Sequence, residues 1–180
     1  MVVPPGQYRF GPHNGRLLLD TRRQGVAGSL GHDLTLEVTS WSAEVDIGDD
    51  PAAGQVRARF ELASLTVVAG HGGATPLTAG NRREIEANAR KTLDADRHPE
   101  GTFVSTAVSP SSPLVVEGTL TLRGSSATQQ LELEETAPNR YRGHGTVVQS
   151  RFGIKPYSAL FGALKVRDEV EFQVEVSLEP

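Results

Sequence analysis

Val170-Glu171-Phe172-Gln173-Val174-Glu175-Val176-Ser177-Leu178 stands near the end of the chain with an apolar residue at every second position. Successive side chains of a strand point to opposite faces, so this stretch reads as a strand with one dry and one wet face. Such a strand needs neighbours, and similar alternating segments recur from residue 17 onward with turn residues between them. Ahead of it lies Phe152-Gly153-Ile154-Lys155-Pro156-Tyr157-Ser158, where Pro156 breaks regular pairing. The next run, Ala159-Leu160-Phe161-Gly162-Ala163-Leu164, is small and apolar enough to fold over an open end of a sheet.

Further back, Leu34, Leu36 and Val38 alternate, and Trp41, Ala43, Val45 and Ile47 continue in the opposite phase. One extra residue around Thr39-Ser40 restores a single buried face, as a β-bulge does. The same slip recurs where Val56, Ala58, Phe60 and Leu62 give way to Leu65 and Val67. Two bent strands point to a closed or strongly coiled sheet. Val116, Gly118, Leu120 and Leu122 share a face in a later segment, as do Leu131 and Leu133. The glycine-rich Gly70–Gly80 segment reads as a loop that controls access, and Asn81 with Glu84 three residues on reads as a helix start. Ile85, Ala89 and Leu93 give that helix one apolar stripe, Arg82, Arg83, Glu86, Arg90 and Lys91 suit a wet face, and Pro99 ends it. With about eight to nine strands and one short helix as lid, the expectation is an all-β, antiparallel up-and-down extended barrel in a single domain, 1–180. A sandwich is the structural alternative.

The composition narrows function. A net charge of −4 over 180 residues gives no affinity for phosphate backbones, so nucleic acid is excluded as a partner. There is no cysteine, hence no disulfide and no thiolate chemistry. No run approaches the roughly 18 apolar residues of a membrane span, and the opening Met1-Val2-Val3-Pro4-Pro5-Gly6 has neither the basic nor the apolar region of a secretion signal. The chain is expected to be cytoplasmic, and a homodimeric state is compatible with it.

The polar residues offer little machinery for catalysis. His32 and Asp33 are neighbours in a strand and point to opposite faces, so one cannot orient the other as a triad requires. His13, His32, His71, His98 and His144 have no recognised metal-ligand spacing, so neither a metal nor a cofactor is expected. Gly70-His71-Gly72-Gly73 lacks the remaining glycine of a dinucleotide fingerprint, since position 75 is Thr75. Gln149, Lys155 and Tyr157 cluster around the Phe-Gly-Ile stretch, and His32 is either a ligand contact or a structural residue. Phe103, Leu120, Leu122, Leu131, Leu133, Phe172 and Val174 must face something dry, either other side chains or one apolar ligand.

Four segments, in order, carry a likeness: Gly31-His32-Asp33-Leu34, Leu93-Asp94-Ala95-Asp96-Arg97-His98-Pro99-Glu100, Gly118-Thr119-Leu120-Thr121-Leu122-Arg123-Gly124 and the Phe152–Ser158 stretch. Together they resemble the YceI-like family across nearly the whole chain. That resemblance implies a lipocalin-like barrel whose interior binds a long apolar ligand, such as a polyisoprenoid, a prenyl pyrophosphate, an isoprenoid quinone or a related lipid. It implies binding or carriage, not catalysis. The expected wall is Phe103, Leu120, Leu122, Leu131, Leu133, Phe152, Phe161 and Val174, with Gln149, Tyr157, His32 and Lys155 as polar contacts. The alternative is an enzyme acting on such a ligand, or a smaller one, with His32, Lys155 or Tyr157 as acid or base.

Overall fold

The computed structural model describes residues 4–178; Met1, Val2 and Val3, on which part of the N-terminal reading rests, lie outside the described residues, as do 179 and 180. The chain forms β1 (Gly6–Phe10), β2 (Gly15–Thr21), β3 (Arg23–Gln24), β4 (Asp33–Val38), β5 (Trp41–Ile47), β6 (Gln55–Glu61) and β7 (Leu65–His71). Helix α1 (Ala79–Thr92) follows, then β8 (Glu100–Ser109), β9 (Leu114–Leu122), β10 (Ser125–Ala137) and β11 (Arg140–Val148). The last strands are β12 (Ser158–Ala159), β13 (Leu164–Val166) and β14 (Glu169–Ser177).

Eleven strands make one antiparallel sheet in the order β1-β5-β6-β8-β9-β10-β11-β14-β2-β4-β7. Its two ends are held together by the chain itself, because β4 runs on into β5 and β6 into β7 across sharp corners. The phase slip at Thr39-Ser40 is one corner, and a 3-10 turn over Leu62–Ser64 is the other. They face each other: the Thr39 N–H donates to the Ser64 carbonyl at 3.2 Å and the Glu61 N–H to the Ser40 carbonyl at 2.9 Å. The Ser64 hydroxyl accepts from the Ser40 N–H at 3.1 Å. The two corners thus make one bent hairpin, paired as β5 with β6 and as β4 with β7. The sheet curls into an up-and-down circuit of eight strands, with β14 returning onto β2 through Val174 opposite Leu17. Strand β1 lies outside the circuit, on β5.

The hairpin leaves β7 with a free edge, a row of unpaired backbone groups that needs cover. Helix α1 supplies it. Glu86 accepts from the Val67 N–H at 2.9 Å, and Arg82 donates to the Val67 carbonyl at 2.8 Å. Two residues expected on the wet face are therefore side-chain substitutes for a missing strand. The stripe of Ile85, Ala89 and Leu93 packs against the core as expected. The helix starts earlier than expected, at Ala79, because Thr78 is the cap: its hydroxyl accepts from the Asn81 N–H at 3.1 Å while the Asn81 side chain accepts from the Thr78 N–H at 3.0 Å. This is a reciprocal capping box with asparagine in the place of the usual Glu or Gln.

The buried residues form two clusters. One, on the bent-hairpin side, holds Leu17, Leu36, Val38, Trp41, Leu65 and Val67. The other holds Phe103, Val116, Leu120, Phe152 and Ile154 on the far wall. Phe60 and Leu93 pack against both. Gly118 is the seat of an aromatic ring and not free volume, since a Cβ there would lie 2.4 Å from the Phe103 ring. Ala107, also small, sits exposed at a register shift between β8 and β9.

Glu86→Ala should cost about 1–2 kcal/mol in urea unfolding, since it strands the Val67 N–H, whereas Arg83→Ala on the exposed face of the same helix should change nothing measurable. A second expectation concerns acid. Arg16 grips Glu37 through two hydrogen bonds of 2.9 Å, and that bonding, ahead of the direct charge attraction, holds the Glu37 carboxyl below its ordinary value. A depressed carboxylate contributes stability that is present above its unfolded value, near 4.3, and is lost as pH falls through the lower folded value. Glu37→Gln should therefore flatten the fall in stability below about pH 4; an unchanged acid limb would show the pair to be energetically silent.

Candidate functional site

A cavity of about 650 Å³ is lined by members of both clusters. Strand β14 shows its extent, because Val170, Phe172, Val174, Val176 and Leu178 all line it. Eight residue steps correspond to about 26 Å along the strand, so the space is long as well as dry. Most of the wall is aliphatic or aromatic. Polar groups concentrate at the end where β2 leaves the barrel, with Arg23, His32, Thr75, Gln149, Tyr157 and Lys165 all reaching the lining. Along one side α1 adds a helical face in which Asn81, Glu84, Asn88 and Thr92 alternate with Ile85, Ala89 and Leu93. Spacings of three and four residues place all seven on one side of the helix.

Short segments cover this polar end. β12 pairs with β13 and β13 with β3, making a three-stranded sheet separate from the barrel. The loop after β7 is tied across as well. His32 donates from Nε2 to the Thr75 carbonyl at 2.8 Å, since a carbonyl can only accept. Gly73, with φ +78°, lies against the imidazole: a Cβ there would be 2.3 Å from Nε2. His32 lies just before β4 and not in it, so strand alternation does not govern the pair; Asp33, the first residue of β4, does not line the cavity and accepts from the Arg23 N–H at 2.9 Å. The Arg23 guanidinium bonds the Gly31 carbonyl and stands 3.9 Å from the same carboxylate. At the opposite end, Tyr8 and Tyr141 line the cavity. Burial, ahead of the nearby Glu135, pushes the Tyr141 phenol above its ordinary value.

Of the residues singled out from sequence, Phe103, Leu120, Leu122, Leu131, Leu133, Val174, His32, Gln149 and Tyr157 line the cavity. Gln149 is also part of the scaffold, its amide donating to the Arg167 carbonyl at 2.9 Å. Phe152, Lys155 and Phe161 do not line it. Phe152 is only 2% exposed and belongs to the far-wall packing, carried there by the 3-10 turn over Gln149–Phe152. Lys155 follows the buried Ile154 and points outward. Phe161 is fully exposed, because Leu160 and Phe161 both have positive φ, 52° and 55°. Sequence reasoning missed Arg23 and Lys165 at the polar end, although each sits in a short strand beside residues with cavity-facing side chains. It also missed the polar half of the helix face, legible as Asn81, Glu84, Asn88 and Thr92 at helical spacing.

His32, Lys155 and Tyr157 do not converge as an acid–base set, since Lys155 is outside the cavity and His32 is bonded to a backbone carbonyl. Among the described residues no group of three or more His, Asp or Glu is arranged to hold a metal ion, and no helix is long and apolar enough to cross a membrane.

A curled antiparallel barrel with a long dry interior and polar groups gathered at one end is a lipocalin-like barrel. The chain belongs to the YceI-like family: the model of the YceI-like domain matches residues 18–178. That family is known as a polyisoprenoid-binding, lipocalin-like fold. Solved structures agree on the architecture. BcnA of Burkholderia cenocepacia superposes with a TM-score of 0.63 at 16% identity, covering 90% of this chain and 94% of that one. The YCEI protein of Campylobacter jejuni gives a TM-score of 0.57 at 15% identity, covering 78% and 81%. No curated protein sequence matches the chain.

In an alkaline titration followed by phenolate absorbance, one tyrosine should ionise late and that phase should vanish in Tyr141→Phe. Loss of the late phase in Tyr157→Phe instead would relocate the buried phenol.

Proposed function

We propose that this protein binds a single long apolar chain of the polyisoprenoid kind, whether prenyl pyrophosphate, isoprenoid quinone or related lipid, and sequesters or carries it. The chain lies in the barrel with its polar end among Arg23, His32 and Lys165. The observation that carries this is the cavity: about 650 Å³, inside the roughly 300–1,000 Å³ range of small-molecule sites, and apolar along its length. Each methylene moved from water into such a wall gains about 0.8 kcal/mol, so a dozen buried groups contribute on the order of 10 kcal/mol before the costs of association. Affinity for the tail then depends little on salt, and the polar end orients the head group with only weak selection among heads. Lys165 carries no salt bridge among the described residues, which leaves its ammonium available to an anionic head.

Organic extraction of the purified protein followed by mass spectrometry should release a long apolar molecule. Leu120→Trp adds bulk to an inward wall position opposite Phe103 and Ala127. It should weaken binding of a fluorescent prenyl or fatty-acyl chain at least about tenfold while a thermal melt stays cooperative. Lys165→Ala should weaken only chains with an anionic head, and Lys155→Ala should weaken none. Undiminished binding by a folded Leu120→Trp would mean that the chain does not lie in the barrel.

A further inference from the structure

Seven large hydrophobic residues are exposed among the described residues, and five of them, Val26, Leu30, Tyr157, Leu160 and Phe161, lie in the segments that cover the polar end of the cavity. Phe161 is exposed to 112% and Val26 to 96%, so neither side chain packs on anything. They share one tip. The Ala27 N–H donates to the Ala163 carbonyl at 2.9 Å, and Gly25, with φ +102°, allows that close approach. The turn that carries Phe161 uses two consecutive non-glycine residues at positive φ, a conformation unfavourable for L-residues, and it holds Phe161 in water where packing gives nothing back. An apolar side chain held outward at such a cost is suited to a partner that buries it.

The charge around the tip identifies that partner. Residues 22–33 and 149–169 carry six of the chain's 18 Lys and Arg residues and three of its 22 carboxylates, Asp33, Asp168 and Glu169. Asp168 is engaged with Ser150, Arg22 lies 3.7 Å from Glu171, and Arg23 is held by Asp33. Arg151, Lys155, Lys165 and Arg167 have no salt bridge among the described residues. A molecule that is acidic overall therefore has a basic end with projecting apolar tips, and three exposed residues there, Leu30, Tyr157 and Lys165, also line the cavity.

We infer that this tip docks the protein on an anionic lipid bilayer: Phe161, Leu160 and Val26 enter the interfacial layer while the unpaired Lys and Arg side chains meet lipid headgroups. A second copy of the chain fits less well. A two-fold interface would set the same cations against each other, and projecting tips do not supply the roughly 800 Å² per partner of a stable dimer. The inference extends the lipid-binding reading by naming a bilayer as the surface where the cavity is filled or emptied, yet docking is measured without reference to the cavity.

The test is flotation with vesicles of phosphatidylcholine alone and of phosphatidylcholine mixed with phosphatidylglycerol. The parent protein should float with the anionic vesicles and be released by high salt. Phe161→Asn keeps a residue that tolerates positive φ and removes the ring, so it should weaken association about tenfold, and Lys155→Glu should weaken it as well. Both variants should still bind the fluorescent chain in vesicle-free solution, because neither residue lines the cavity. Absence of flotation by the parent, or equal flotation by Phe161→Asn, would overturn the inference. Self-association of the parent that is lost in Phe161→Asn, without vesicle binding, would assign the tip to a second copy and overturn it too. Failure of chain binding with flotation intact would strike the cavity reading alone.

Discussion

The hydrogen bonds that join Thr39 and Ser40 to Glu61 and Ser64 hold the bend on which the rest of the barrel depends. A flat hairpin of this length would extend one edge of a sheet. Bent at two facing corners, it belongs to both ends of the strand order at once, so its β5–β6 half continues into β8 while its β4–β7 half continues into β2. Each corner also restores the inward phase that the sequence loses by one residue, which keeps Leu36, Val38, Trp41, Leu65 and Val67 in one cluster. The cost of the bend is the open edge of β7, and α1 is placed where Arg82 and Glu86 can satisfy it. Closure therefore explains why an otherwise all-β chain has a helix, and why that helix stands at the cavity wall.

A closed barrel of eight strands has an interior that side chains can just fill, or that can hold one small ligand. Here the packing is divided between two clusters with space left between their members. Bulk is kept against the walls: the Phe103 ring lies over Gly118, and Leu122 closes on Gly101, where a Cβ would be 2.7 Å from its methyl. Large side chains seated on glycines of the adjacent strand bury their own surface without crossing the lumen. These glycines are the means by which the lumen stays open beside them.

Strand alternation makes the wall legible, because a period of two assigns faces without knowledge of partners; Leu120, Leu122, Leu131, Leu133 and Val174 are all assigned inward on that basis, and the two phase slips mark the corners. The cover of the polar end is not legible in the same way. Its strands are two or three residues long, too short for a period, and its course depends on backbone conformations at Leu160 and Phe161 that composition does not announce. An apolar run such as Ala159–Leu164 reads as something to bury, and burial is where that reading fails for Phe161. Lys155 and Lys165 illustrate the same limit: both flank the cover, and only the pairing of β13 with β3 brings Lys165 to the cavity. The helix start shifts for a chemical reason, since the carboxamide of Asn81 can complete a capping box that pattern rules expect from Glu or Gln.

The two ends of the cavity differ in what they ask of a ligand. At the Tyr141 end, burial pushes the phenol above its ordinary value, and among the described residues no basic side chain lines the wall beside it, so that end suits the terminus of an apolar tail. At the other end Arg23 is immobilised by Gly31 and Asp33, His32 is fixed to Thr75, and Lys165 has no salt bridge among the described residues. Two fixed donors define a position, and one free ammonium on a flexible stem adapts to what is placed there. For the proposed ligand, such an end would discriminate between heads weakly and the wall between tails by length and bulk, because a dry wall contributes most of the free energy. For the chain proposed above, the polarity of the cavity sets a direction, tail first toward Tyr141, with entry at the end that Phe161 and its neighbouring cations surround.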